Sequence, residues 1–214
     1  MNPKFYINIG RELGSGGLEI GEKLSRMFNI SFYDKELINV ASKESGISKE
    51  FFEKADEIHS QSFSSGFFGL NFSSIFADVS AYSVLDNSEL FKIQSNVIKR
   101  VASNESAVFV GRCADYILRE EQNCLNVFIT ASVQDRILRL RNNKKLKGIE
   151  KLSESQIKEH LEKIDKQRSN YYNYFTYKTW GAAKSYDMCL DSSYLGIDKC
   201  VEIIATVVKE KFVK

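Results

Sequence analysis

Apolar positions along the chain recur with two different periods, and the way these alternate predicts an architecture. Short apolar runs near 5–9, 30–33, 107–110, 125–130 and 188–191 have the length and composition of strands buried on both faces. Between them the spacing becomes helical. Leu18, Ile20 and Leu24 are expected on one face of a first helix. Leu37, Ile38 and Ala41 predict a second that stops at Gly46, and Ser48 caps a third, SKEFFEKADEI. Leu90, Ile93, Val97, Ile98 and Val101 mark a long helix over 87–103. CADYILREE reads as a helix after the third strand, and Ser132 caps a basic helix, VQDRILRLRNNKKLKG. SESQIKEHLEKIDKQR is helical with a capping serine, and LGIDKCVEIIATVVKEKF is a last amphipathic helix. Strands alternating with helices imply an α/β fold, a parallel sheet with helices on both faces.

Ligands of such sheets sit beyond the carboxyl ends of the strands. The polar residues found there are the glycine loop, Asp34, Gly111 and Arg112, Thr130 to Ser132, and Asp191 with Ser192. The glycine loop carries the most chemistry. FYINIG runs into RELGSGG and then directly into LEIGEKLSRM. Strand, glycine loop and helix N-terminus together bind phosphate, because inward-turned backbone N–H groups add to the helix dipole. Gly14, Ser15, Gly16 and Gly17 are the residues of that cradle.

Composition narrows the function classes. The chain has 214 residues, a net charge of +2, 43% hydrophobic and 27% charged residues, which is ordinary for a soluble globular protein. The charge balance gives no reason to expect a nucleic-acid or membrane partner. No run is long enough to span a bilayer, and MNPKFYINIG has no apolar signal segment. Cys113, Cys124, Cys189 and Cys200 lack metal-ligand spacing and read as reduced thiols, so a cytoplasmic protein is expected. His59 and His160 are far apart, so no histidine metal site is expected. One stretch departs from the rest: 60–80, SQSFSSGFFGLNFSSIFADVS, is rich in Ser and Phe and almost uncharged. Two readings stand, a buried segment or homodimer contact, and a flap that closes on a substrate ring.

Taken together, GRELGSGGLEIGEKLS, FYDKELI, FVGRCADYIL, VFITASVQDRILRLR, DKQRSNYYNYFTYKTWG and YDMCLDSSYLGID resemble the P-loop nucleoside monophosphate kinases, and within them the cytidylate kinase-like family. The resemblance extends from about residue 5 to 205. It implies a three-layer P-loop kinase fold, a five-stranded parallel sheet in the order 2-3-1-4-5, and a helical lid. It also implies one domain over 1–214, with 58–86 as the substrate-side flap or interface and 132–185 as the lid region. ATP, Mg²⁺ and a small-molecule nucleotide acceptor are implied in the same way. In cytidylate kinases a Gly-Arg-Asp motif after the third strand holds the acceptor phosphate. Here it reads Gly111-Arg112-Cys113, so the arginine matches and the aspartate does not. Arg112 reads as an anion ligand, or otherwise as a structural salt bridge. Arg136 and Arg139 share a face of the lid helix, with Arg141 elsewhere, and are candidates for the charge of a transferring phosphoryl group. Arg168, with Asp165 and Lys166, lies where the family carries further phosphate-side arginines. Asp34 is a substrate-side candidate and equally a helix N-cap. The run from Tyr171 to Trp180 either stacks on a base or packs the lid.

The glycine loop departs from G-x-x-x-x-G-K-[ST] at two positions. Gly17 stands where the lysine would be, and Leu18 where the Mg²⁺-binding hydroxyl would be. The backbone cradle survives both changes, but the side-chain cation and the metal ligand do not. Three outcomes remain: another cation substitutes, with Arg11 the candidate; the chain binds a phosphorylated ligand without turnover, as a sensor or scaffold; or the fold serves an acceptor unlike CMP. Arg11, Arg136 and Arg168 are accordingly the catalytic candidates.

Overall fold

The structure is a computed structural model and describes residues 3–34, 84–143, 146 and 148–213. Five strands form one parallel sheet: β1 (Tyr6–Arg11), β2 (Ser31–Tyr33), β3 (Ala107–Val110), β4 (Cys124–Thr130) and β5 (Met188–Asp191). Their order is β2-β3-β1-β4-β5, as the resemblance implies. The helices are α1 (Gly17–Phe28), α2 (Val84–Asn104), α3 (Ala114–Ile117), α4 (Val133–Asn142), α5 (Glu154–Thr176), α6 (Ser192–Leu195) and α7 (Ile197–Phe212).

The central strands are apolar on both sides because both sides are covered. Ile7, Ile9, Val108, Val110, Val127 and Ile129 meet Ile20 and Leu24 of α1 and Val201, Ile204 and Val208 of α7. On the other face Tyr6, Ala107 and Phe109 pack on Ile98 and Ala102 of α2 and on Ile117. Full burial of each large aliphatic side chain stabilises the fold by about 1.5–3 kcal/mol. A third cluster, with Ile137, Leu140, Ile157 and Leu161, joins α4 to α5.

Three sequence expectations change. Leu18 is 44% exposed, while Ile20 and Leu24 are buried. Two residues of helix turn a side chain by about 200°, so Leu18 cannot share the face of Ile20. The helix expected at CADYILREE is only α3, four residues long. The chain enters it through three consecutive left-handed residues, Gly111 (φ 81), Arg112 (φ 57) and Cys113 (φ 56), which bend it sharply away from the strand end. Conversely α5 runs on through the aromatic stretch to Thr176 and ends at Tyr177 in the left-handed conformation. Its start is a full capping box, Ser153 with Gln156, and Ser132 caps α4 by accepting from the Asp135 N–H. The expected helices around Leu37 and after Ser48, the Ser/Phe segment at 60–80 and most of the stretch at 58–86 lie outside the described residues.

Candidate phosphate and acceptor site

β1 continues to Arg11, so the glycine loop spans only the residues from Glu12 to Gly16 before α1 begins. Gly14 (φ 77) and Gly16 (φ 83) take the left-handed conformation that turns it. The loop is pinned from outside by its carbonyls. Arg136 Nε donates to Leu13 O at 2.7 Å, Arg139 Nη1 to Gly14 O at 3.3 Å, and the Ser192 hydroxyl to Ser15 O at 2.6 Å. Arg139 Nη1 also reaches the Ser192 hydroxyl at 2.8 Å. The Glu12 carboxylate fixes the loop entrance to the end of β4, accepting from the Thr130 hydroxyl at 2.6 Å and the Ala131 N–H at 3.1 Å. With the carbonyls held outward, the N–H groups of Gly14, Gly16 and Gly17 have no acceptor among the described residues.

Asp165 of α5 completes this frame. It accepts from the Leu13 N–H at 2.8 Å, takes a close hydrogen bond from Arg136 Nη2, and stands 3.6 Å from Arg168 Nη1. Burial pushes its carboxyl up, while the Leu13 N–H and the two arginines hold it down. Arg136 is buried and also faces Glu12 at 3.6 Å. The sequence expects Arg136 and Arg139 at transferring phosphates; the structure directs both to the backbone of the glycine loop. Arg141 is exposed.

Arg11 lies on the other side of the loop. A Cβ placed on Gly17 would stand 2.6 Å from Arg11 Cβ, and one on Gly111 would overlap Arg11 Nη1. The Arg11 side chain therefore crosses the space a side chain at 17 would fill and puts its guanidinium against the end of β3. Burial, and then the neighbouring Arg168 and Arg112, push it down to about 9; Asp34 and Asp165 act the other way. Arg112 is pushed down chiefly by burial, with Tyr171 opposing. Arg168 donates to the Arg11 carbonyl at 3.2 Å. Asp34 ends β2 and acts electrostatically on both Arg11 and Arg112. Its helix-capping alternative concerns residues outside those described. Cys113, where an aspartate was the family expectation, is buried, and burial pushes its thiol up.

Arg11, Arg112 and Arg168 line one cavity of about 460 Å³ beyond the ends of β1 and β3. Its far wall is aromatic: Tyr171, Tyr172, Phe175, Trp180 and Tyr186. The wall is itself a packed unit, with Phe91 stacked on Phe175 at 4.3 Å and Trp180 edge-on to Phe128 at 5.0 Å. Rings of this stretch both pack and line the cavity. Asp115 also lines the cavity, accepting from the Tyr172 hydroxyl at 2.7 Å with Lys178 3.7 Å away. The sequence reading passed over Asn8, Glu12 and Asp115. A polar Asn8 in the middle of an apolar strand was the one available signal.

Such a cavity, with three cations and a wall of rings, has the chemistry to accept a small anion carrying a planar or apolar body. Among the described residues no cluster of three His, Cys, Asp or Glu is placed to hold a metal ion, and no helix is long and apolar enough to cross a membrane.

The profile of the family described as cytidylate kinase-like matches residues 6–194. No curated protein matches. Among solved structures, an uncharacterized protein from Eubacterium ventriosum is 25% identical, with a TM-score of 0.70, over 97% of this chain and 100% of that one. A shikimate kinase from Bacteroides thetaiotaomicron is 13% identical, with a TM-score of 0.54, over 96% and 98%. A gluconokinase from Sinorhizobium meliloti is 11% identical, with a TM-score of 0.52, over 98% and 97%. The last two share the P-loop kinase fold.

Proposed function

The chain belongs to the cytidylate kinase-like family, and on that premise we propose that it transfers the γ-phosphoryl group of ATP to a small anionic acceptor of the nucleoside monophosphate kind. The observation that carries this reading is Arg11. Its side chain occupies the space above Gly17, where a P-loop would place lysine, and its guanidinium faces the cavity shared with Arg112 and Arg168. The lost lysine is in this way replaced by a cation from the preceding strand.

The residues fit a triphosphate. The N–H groups of Gly14, Gly16 and Gly17 and the N-terminus of α1 would hold its phosphates, and ATP supplies the group transferred. Arg112 holds the acceptor's own anion; Arg11 and Arg168 stand between the two ligands and balance the charge that spreads over the transferring oxygens. Arg136 and Arg139 act through the loop, keeping its carbonyls turned outward. The fit to Mg²⁺ is poorer, because Leu18 replaces the hydroxyl ligand and its side chain is exposed. No step is assigned to the ion beyond arriving with ATP. With four free cysteines, a reducing compartment such as the cytoplasm suits the protein.

The test is ADP release, coupled to a reporter, over nucleoside monophosphates and over small acids such as shikimate and gluconate. We expect turnover with at least one acceptor and a loss of 10²–10³-fold in kcat for Arg11→Ala, the scale of removing one preorganised charge-stabilising group. Arg11→Lys should recover part of it. A second reading, a non-catalytic binder, is favoured by Leu18. Thermal stabilisation by ATP·Mg with no product from any acceptor would establish it in place of the kinase, and absence of any thermal shift would remove both.

A further inference from the structure

The cavity has a second pole that nothing in the phosphate chemistry uses. Asn8 sits three residues before Arg11 on β1, on the opposite face of the strand from Ile7 and Ile9, and lines the same cavity. It is 2% exposed. Its Nδ2 donates to Asn126 Oδ1 at 2.8 Å, and its own Oδ1 has no hydrogen-bond partner among the described residues. A buried carbonyl left without a donor costs about 1–3 kcal/mol, so a fold keeps one where something else supplies the donor.

The surroundings say what kind of donor. Gly10, the next residue on the same face as Asn8, is covered by rings: a Cβ there would stand 2.8 Å from Phe128 and 3.0 Å from Tyr186, so aromatic edges approach the strand beside Asn8. Tyr172 and Tyr186 stack at 5.9 Å with an interplanar angle of 23°, and both line the cavity. The Tyr172 hydroxyl is committed to Asp115. Three residues of strand put the backbone of Asn8 about 10 Å from that of Arg11. That distance, with rings along the wall, suits an anion joined to a flat ring whose far edge carries an N–H.

We propose that Asn8 forms a specificity subsite reading the end of the acceptor away from its anion, with Oδ1 accepting a hydrogen bond from an amino group on a planar ring. This deepens the kinase reading and rests on it for the acceptor's anionic end. Asn8 is a binding residue in this proposal, distinct from the arginines.

Trp180, the single tryptophan of the chain, lines the cavity and reports its occupancy without any turnover. Tryptophan emission would be titrated with two pairs differing in one group, CMP against UMP and AMP against IMP. The amino member of at least one pair should change the emission saturably and bind at least about tenfold more tightly than its keto partner, the size of one matched buried hydrogen bond. Asn8→Leu should bring that ratio to near 1 in a protein that still folds; it removes the orphan carbonyl but also the donor to Asn126 Oδ1. Asn8→Ala, which adds no bulk, serves if the leucine variant does not fold. A ratio unchanged in a folded Asn8 variant overturns the proposal, as does equal binding of both members by the natural protein. Turnover of a monophosphate with no change in Trp180 emission overturns the subsite and leaves the kinase reading standing. Saturable, Asn8-dependent emission changes without ADP release support the subsite and count against the kinase.

Discussion

Two groups of arginines approach the glycine loop, and they differ in what stands opposite them. Arg136 and Arg139 face acceptors: Asp165, Glu12, Ser192 and the carbonyls of Leu13 and Gly14. Arg11, Arg112 and Arg168 line one cavity together, with Asp34 and Asp165 the carboxylates acting on Arg11 among the described residues and Arg168 also reaching Asp165 and the Arg11 carbonyl. A cation whose acceptors are all protein atoms holds the fold. Cations gathered against their own repulsion around a cavity are, on the kinase reading, the ones that would meet an anionic ligand. The comparison predicts opposite outcomes for the same substitution on the two sides.

The largest effect belongs to Arg136. Arg136→Ala takes the nearest cation from the buried Asp165, leaving it the Leu13 N–H and Arg168, and frees the Leu13 carbonyl, which should lower stability by about 3 kcal/mol in denaturant unfolding. Arg136→Met, which refills the volume but does not restore the cation nearest Asp165, should not rescue it. Full stability in either variant would move Arg136 to the cavity group.

Gly17→Ala comes next. The added methyl meets Arg11 Cβ at 2.6 Å, and the strand end cannot yield far because Arg11 is paired in register with Ile129. Overpacking of this sort costs about 1–3 kcal/mol. Displacing the guanidinium should also lower kcat more than the binding of ATP, seen as a kcat loss with little change in KM. Restoring the P-loop lysine, Gly17→Lys, should therefore fail in the natural background and improve in Arg11→Ala.

That pairing explains what the sequence could and could not show. The strands and the position of the loop were legible because apolar runs of β1, β3 and β4 and the Gly14–Gly17 turn are local signals, while the strand order came only with the family resemblance. Gly17 looked like a loss, because a sequence shows which side chain is missing and not which other one has taken the space. Arg136 and Arg139 were correctly placed on one helix face, but spacing cannot say whether that face meets a ligand or the loop's backbone. Asp165, which decides the matter, lies on a different helix. The bend at Gly111–Cys113 was invisible for a related reason: Arg112 and Cys113 are not residues that favour positive φ, so their conformation is imposed by the fold.

The smallest expected change in size, though the most telling in sign, is in Arg11→Met. Arg11 folds with its basicity pushed down to about 9 by burial and by Arg168 and Arg112. A base whose pKa is lower folded than unfolded holds fewer protons in the native state between those two values. Stability then rises with pH across that window, and the penalty for the buried charge is complete below it. Near neutral pH Arg11→Met should therefore be as stable as the natural protein or more so, the reverse of Arg136→Met. From about pH 9 upward the natural protein should close the gap on the variant, with other titrating groups cancelling in the comparison. An anion in the cavity offsets the same penalty, so phosphate should raise the melting temperature of the natural protein more than that of Arg11→Met. A variant less stable at pH 7, with no convergence at higher pH, would show that Arg11 is held by protein acceptors after all and would erase the distinction between the two groups.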